Sequence, residues 1–467
     1  MNAHDDFKRE VKETARALSE KDNIAVIHHY DADGMAAAGI IGKALEREGK
    51  KSSFKAIKQL YSETLEEIRG LGSFYVFADF GSSYLEEIKK AFKEEFVVID
   101  HHQPKTSERE PRHLNPLLYG IDGSREISGA GLCFLVSEEL NKKNQDLSAL
   151  AIVGAVGDMQ DSRGKLAGLN TEILEKGIKR GVLEKKQDLR FYGRISRPLT
   201  QFLEFATTPV LPELTANREN CTAFLQEQGI KLKEAGQWRS YEDLSLEEKK
   251  TLSTALILHL SKHGEPEWKI KSMFGEVYTL LKEDRKSPLR DAKEYATLLN
   301  ATGRHGKAEI GLKVCLGDRN EYYQKAKKLL LEHRRKLREG IELMKKEGVQ
   351  EREAYYYFDA GSHIQDSLVG IVAGMLYGSG TINSTKPIIA LARHEDGSIK
   401  VSARGTSELV KKGLNLGKAL KESCAELSEK SEGGGHTIAA GARIQEKERE
   451  KFLSILEKKI KKQGKYT

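Results

Sequence analysis

Residues 23–34 run Asn23-Ile24-Ala25-Val26-Ile27-His28-His29-Tyr30-Asp31-Ala32-Asp33-Gly34. An apolar run over Asn23–His28 predicts a buried strand, and it discharges abruptly into imidazoles and carboxylates. Met35–Glu48 follows with the apolar spacing of a helix, rich in Ala and Ile on one side. The pattern then recurs. Phe74–Ala78 predicts a second strand ending in Asp79-Phe80-Gly81, with a helical stretch over Tyr84–Glu95 behind it. Phe96–Ile99 predicts a third, ending in Asp100-His101-His102, and Ala149–Gly157 reads as a fourth segment of this kind, running into Asp158. Strand and helix in alternation imply an α/β fold: a parallel sheet covered by helices on both faces. Ligands of such sheets bind beyond the carboxyl ends of the strands.

One Asp-Gly after a strand is an ordinary turn or helix cap. Four acid or histidine clusters at consecutive element ends are a different matter, because parallel strands bring those ends to one edge. So many carboxylates repel one another unless cations lie between them. Carboxylate with imidazole suits Mn²⁺, Mg²⁺ or Fe²⁺ better than a thiolate-seeking metal. A pair of metals serving displacement at phosphorus needs a carboxylate shared between them. Asp79, alone at the end of the middle strand, is the candidate for that place. His113 and His4 read as solvent-exposed histidines, and Asp161, three residues after Asp158, as a helix-end cap.

The rest of the chain bounds the reading. Its 467 residues are 39% hydrophobic, enough for real cores, which excludes a fully disordered chain. Lys and Arg total 77 against 70 acids, a net charge of +7 that permits a nucleic-acid partner without requiring one. The 4 cysteines form no Cys-x-x-Cys pair, so neither a zinc ribbon nor a disulfide framework is expected. No apolar stretch approaches the ~20 residues that span a bilayer, and the charged N-terminus is no signal peptide. Three domains are expected: 1–195, the α/β domain; 196–350, charged and helical in pattern; and 351–467, where strands return at Ala354–Phe358, Pro387–Ala392 and Ile399–Val401 before a closing helix near Glu446–Lys462. Arg319–Lys346 reads as one long amphipathic helix interrupted at Gly340. Its basic clusters suit either a solvated face or a nucleic-acid backbone. Ser128-Gly129-Ala130-Gly131 reads as a capped, closely packed helix start.

The four clusters, in this order and spacing, resemble the N-terminal motifs of the DHH phosphoesterase superfamily. Residues 433–441, Gly-Gly-Gly-His-Thr-Ile-Ala-Ala-Gly, resemble the glycine-rich motif of the DHH-associated C-terminal domain. Asn300-Ala301-Thr302-Gly303-Arg304, Ser402-Ala403-Arg404 and Ile364–Tyr377 resemble segments of the RecJ branch, and the different middle segment resembles the archaeal RecJ-like, GINS-associated nucleases. The resemblance implies an N-terminal parallel-sheet domain, a largely helical insertion and a C-terminal α/β domain. It implies two divalent cations, Mn²⁺ preferred and Mg²⁺ possible, on Asp31, Asp33, Asp79, His101 and Asp158, with a histidine ahead of the Asp-x-Asp. His29 keeps the His-x-Asp-x-Asp spacing and is favoured, with His28 the alternative if it faces inward. His102 would contact phosphate or support the ligands, and Asp100 would orient a histidine. Arg304, Ser402, Arg404, Gly433, Gly434, Gly435 and His436 would grip phosphates, although glycine runs also make plain hairpins.

The function so implied is a metal-dependent exonuclease on single-stranded DNA, 5′→3′, with RNA left open, in replication or repair. GINS or another replisome component would be its partner, its place cytoplasmic and nucleoid-associated, without a membrane. Two alternatives stand beside it: a phosphodiesterase for short oligonucleotides or cyclic dinucleotides, which shares both motif sets, and a replication scaffold of DHH descent, a class that loses metal ligands.

Overall fold

The computed structural model describes residues 3–58, 60, 62–378, 381–394, 396–428 and 430–464. It falls into two compact units: Met1–Ala206 with Asn217–Leu330, and Thr207–Ala216 with Leu331–Thr467.

The first unit is built on a five-stranded sheet of β1 (Asn23–His29), β2 (Lys51–Ile57), β3 (Phe74–Ala78), β4 (Phe96–Ile99) and β5 (His113–Leu114). The spatial order is β2-β1-β3-β4-β5, parallel throughout. Side chains alternate between its two faces as the pleat requires. Ile24, Val26, Phe74, Val76, Val97 and Ile99 join the core on one face, with α1 (Ala3–Ser19), α2 (Ala32–Arg47) and two later helices, Gly129–Leu140 and Ser148–Gly157. Ala25, Ile27, Tyr75, Phe77, Phe96 and Val98 face the other way. There they meet Leu65 and Ile68 of α3 (Ser62–Ile68) and Leu85, Ile88 and Phe92 of α4 (Leu85–Phe92). The expected α/β architecture with helices on both faces is therefore present.

Three expectations need correction. Residues 149–157 are not a strand. They lie in α6, Ser148–Gly157, which packs between α2 and α5 (Gly129–Leu140) and is buried on nearly every side. A helix so enclosed is apolar all round and loses the periodicity that marks a surface helix. Gly340 interrupts nothing: one helix runs Glu321–Glu347, and the glycine hydrogen faces Val372 and Ile364, where a Cβ would meet them at 3.0 and 3.3 Å. His113 is buried on β5, with its Nε2 2.8 Å from the Ser82 hydroxyl. The middle segment also holds more than helices. Leu183–Leu189 pairs antiparallel with Phe274–Leu280, and a short hairpin joins Lys233–Glu234 to Gln237–Trp238.

The second unit carries a six-stranded mixed sheet, in spatial order Gln350–Glu351, Tyr356–Asp359, Ile388–Arg393, Ile399–Arg404, Ala439–Ile444 and Glu432–Gly435. Asp366–Gly378 packs on one face of it, and Leu416–Ala425 and Arg449–Gln463 pack on the other. No helix among the described residues is long and apolar enough to cross a membrane.

Candidate metal centre

The carboxyl ends of β1, β3 and β4 meet the N-terminus of α2 and the C-terminus of α6. Asp31 is the N-cap of α2 and accepts from the Gly34 amide at 3.1 Å. Its other oxygen lies 2.8 Å from His29 Nδ1. Asp33, in the first turn, is fully buried. The amides of Gly129 and Ala130 donate to its two oxygens at 2.7 and 3.0 Å. The start of α5 is thus a cradle for Asp33, capped by Ser128, whose hydroxyl accepts from the Gly131 amide. The glycines here are demanded by proximity: a Cβ on Gly129 would sit 2.5 Å from Asp79 Oδ1, and one on Gly154 of α6 would sit 2.2 Å from Asp33 Oδ1.

Asp79 leaves β3 with φ at +65°, a left-handed turn that only a few per cent of non-glycine residues adopt. This turn aims its buried carboxylate between two histidines. Oδ2 is 3.7 Å from His29 Nδ1, and Oδ1 is 3.1 Å from His101 Nε2. His101 Nε2 also lies 3.3 Å from Asp158 and 3.7 Å from Asp33. His101 Nδ1 is 2.6 Å from the Gly123 carbonyl and donates to it, which leaves Nε2 facing the carboxylates, where it holds a proton or, deprotonated, would bind a cation. Asp100 accepts from the Ser82 amide and, through its other oxygen, from the amide and Nδ1 of His102. It is an orienting group, and the half-exposed His102 ring is what it orients.

Electrostatically the pocket gathers positive charge. Burial pushes Asp33 well above the usual carboxylate range, and the Asp79 and Asp158 charges add to it. Burial likewise raises Asp158 to about 7, against the pull of His101 and with the push of Asp31 and Asp79. Burial opposes a charge on His101, yet Asp79, Asp158 and Asp33 together hold its pKa well above the imidazole range. His102 is raised to about 9, burial opposing and Asp100 prevailing. Three buried atoms of the pocket, His29 Nδ1, Asp79 Oδ1 and His101 Nε2, make no well-aligned hydrogen bond among the described residues, although carboxylates stand 2.8–3.7 Å from the two nitrogens. Such atoms are costly unless a cation satisfies them. The possible ligand atoms fall into three groups, each within 4.8 Å: His29-Asp31-Asp79, Asp33-His101-Asp158 and Asp79-His101-His102. Asp79 belongs to two of them. Imidazole and carboxylate without thiolate fit Mn²⁺ or Mg²⁺.

Several neighbours are placed elsewhere. His28 is buried outside these groups, with Nδ1 2.7 Å from the His29 carbonyl. Asp161 turns away into a buried ion pair with Arg190. Arg304 ends the helix Ala292–Arg304, which braces the Asp31–Asp33 loop: Asn300 Oδ1 accepts from the Ala32 amide at 2.9 Å, and a Cβ on Gly303 would strike the Tyr30 carbonyl. In the second unit, Ser402 and Arg404 share the strand Ile399–Arg404 and pack against Gly370. Gly433, Gly434 and Gly435 form the edge strand of a hairpin with Ala439–Ile444. His436 lies exposed in the turn, where its amide donates to the Ala439 carbonyl.

Gln160 escapes the sequence reading. It is buried, and its Nε2 donates to the Gly123 and Ile127 carbonyls at 3.0 and 3.2 Å, while its Oε1 accepts from Asn170 at 2.6 Å. It therefore pins the same carbonyl that orients His101. Its only signal in the sequence is its place two residues after Asp158.

Comparison with known proteins agrees with this geometry. Residues 23–156 match the N-terminal domain of the DHH family, 191–274 the DHH-CID domain and 354–462 the DHHA1 domain. An uncharacterised protein of Methanocaldococcus jannaschii is 30% identical over 468 residues, covering 97% of this chain and 98% of that one. The single-stranded-DNA-specific exonuclease RecJ of Bacillus subtilis is 25% identical over 185 residues, 36% of this chain and 23% of that one. In fold, RecJ of Thermus thermophilus, solved in complex with Mn²⁺, matches with a TM-score of 0.60 at 17% identity, over 97% of this chain and 55% of that one. CDC45 of Entamoeba histolytica matches with a TM-score of 0.62 at 15% identity, over 99% of both chains. With all three domain models matched in order and a relative similar along its whole length, the chain belongs to the RecJ-like branch of the DHH phosphoesterase superfamily.

Proposed function

We propose that this protein is a divalent-cation-dependent phosphodiesterase that removes nucleotides from the end of single-stranded nucleic acid. The observation that carries the reading is Asp79, turned by its left-handed backbone so that one buried carboxylate faces His29 and the other five ligand candidates gather on either side of it. His29, Asp31 and Asp79 would hold one cation, and Asp33, His101 and Asp158, with Asp79 between, a second. Bound there, Mn²⁺ or Mg²⁺ would supply Lewis acidity toward a phosphoryl oxygen and neutralise the charge that develops on it.

The chain's own groups do the rest. Gly129 and Ala130 amides aim Asp33 and favour its charged form against the burial that opposes it. The Gly123 carbonyl fixes the His101 tautomer. His102, held by Asp100 and protonated at neutral pH by its raised pKa, is placed to donate to a phosphate oxygen. Arg304, Ser402, Arg404 and the glycine hairpin with His436 are proposed as grips for the strand. Planar guanidinium groups suit phosphate through paired hydrogen bonds. Digestion from the 5′ end of DNA is the favoured polarity, by likeness to RecJ, with RNA a further substrate. The fold likeness to CDC45 over its full length supports a replisome partner such as GINS, and supports a scaffold as the second reading. A complete set of ligand residues favours the hydrolase.

The test is degradation of 5′- and 3′-labelled single-stranded DNA and RNA in Mn²⁺ or Mg²⁺. Stepwise loss from the 5′ end of DNA is expected, abolished by chelation and by Asp79→Ala. Turnover confined to dinucleotides would move the reading to a small-substrate enzyme. No hydrolysis by the folded wild type would favour the scaffold.

A further inference from the structure

The DHH-CID stretch and the strand pair flanking it enclose a groove of about 830 Å³ within the first unit. It takes its walls from Glu184 and Lys186, from the 195–198 segment, from Trp238, and from Arg285, Lys286 and Arg290 on the turn after Phe274–Leu280. The metal centre uses none of these residues.

Its charges are unequally engaged. Each acid faces a cation: Glu184 Lys186 at 3.0 Å, Glu242 Lys249 at 3.3 Å, and Asp243 Lys286 at 4.0 Å. The arginines keep their charge. Arg285 is exposed and has no ion pair among the described residues, and Arg290 donates to the Leu281 and Glu283 carbonyls, which do not neutralise it. Arg197 stacks its guanidinium on Tyr192 and Phe205.

Trp238 supplies an aromatic surface that is 55% exposed. The Lys233 ammonium lies over its ring, 4.4 Å from the centroid. Its hairpin turns through Ala235 and Gly236, both at positive φ, as a two-residue connection requires. The next residue, Arg239, is buried and bound through both terminal nitrogens to Glu248. An exposed tryptophan on a fixed hairpin, beside the uncompensated charges of Arg285 and Arg290, is the chemistry of a base-stacking platform with a phosphate track.

The groove is also tied to the metal centre. Glu294, fully buried in the first turn of Ala292–Arg304, accepts from the Ile195 amide at 2.7 Å and so fastens one groove wall. Six residues later on the same helix, Asn300 holds the Asp31–Asp33 loop. At ~1.5 Å of rise per residue, about 9 Å of helix separates the two anchors.

We propose that this groove binds single-stranded nucleic acid at a distance from the cleaved end, Trp238 stacking on a base and Arg285 and Arg290 holding the backbone. The inference rests on the exonuclease reading and gives it a second, non-catalytic contact that favours long strands over short ones.

The experiment is fluorescence anisotropy of the full chain with labelled single-stranded DNA of about 20 nucleotides, in chelator so that nothing is cleaved, alongside hydrolysis of a trinucleotide in Mn²⁺. Trp238→Ala should weaken the long strand about tenfold, within the range of one lost base stack. Arg285→Gln should flatten the salt dependence by about 0.7 in log–log slope. Trinucleotide hydrolysis and melting temperature should not change, since these side chains are exposed. Long-strand affinity and slope unchanged in both variants, with trinucleotide hydrolysis intact, would overturn the groove and leave the exonuclease reading standing. A wild-type chain that neither binds strand nor hydrolyses trinucleotide would overturn both.

Discussion

At the scale of single residues, the decisive feature is the division of labour among polar groups packed within a few ångströms. Those with a free lone pair face the pocket, and those that orient them face away. Asp100 and Gln160 are of the second kind. Orienting partners of metal ligands commonly matter by 10–100-fold in affinity. Gln160→Leu should therefore weaken Mn²⁺ binding about tenfold by calorimetry, because the Gly123 carbonyl loses the amide that fixes it opposite His101. A variant that melts earlier with Mn²⁺ affinity intact would show that Gln160 serves folding alone. The ligand candidates were legible because acids and histidines recur at the ends of apolar runs. Gln160 was not, since a buried amide leaves no pattern in one sequence. His28 faces inward with Ile24 and Val26 yet lies outside the ligand groups, whereas His29, last in β1, lies beside Asp31 and Asp79.

At the scale of elements, legibility followed amphipathicity. β3 and β4 were read to the residue, since short apolar runs bounded by turns leave few alternatives. α6 was misread because total burial erased its helical period. β2, an edge strand with much of its length solvated, carries Lys-Ser-Ser and too little apolar signal to stand out. α1 also escaped, and it offers a pH test. Glu10 on that helix lies 3.5 Å from the Tyr119 hydroxyl. Burial, helped by Glu13, raises its pKa from 4.5 to about 7. A carboxyl raised in the folded state binds its proton more tightly there, so its stabilising contribution is present below about 4.5 and is lost as the pH climbs to 7. Allowing for partial exposure, Glu10→Gln should add about 1–2 kcal/mol at pH 8 and little at pH 4. Urea unfolding at both values checks the sign. An equal effect at the two would exclude titration as the cause.

At the scale of the whole molecule, the sequence's two ends carry the family motifs, and the structure shows each end as the kernel of its own unit. What the sequence could not show is how the middle segment serves the first unit: the helix Ala292–Arg304 reaches back some 270 residues to hold the Asp31–Asp33 loop, a long-range contact that no local pattern announces. The glycine-rich motif, by contrast, was legible as a motif but not as a structure. Its three glycines lie in the paired ladder of a hairpin, and a Cβ on Gly434 alone would meet no atom within 4 Å.

The claim on which the rest depends is that one buried carboxylate organises two cation sites. The most direct measurement is the number of Mn²⁺ ions bound per chain, by calorimetric titration of the chelator-stripped protein, wild type against Asp79→Asn. Two ions in the wild type, with both weakened by the single substitution, is the expected result. Equal Mn²⁺ binding by the two proteins, or none by the wild type, would contradict it.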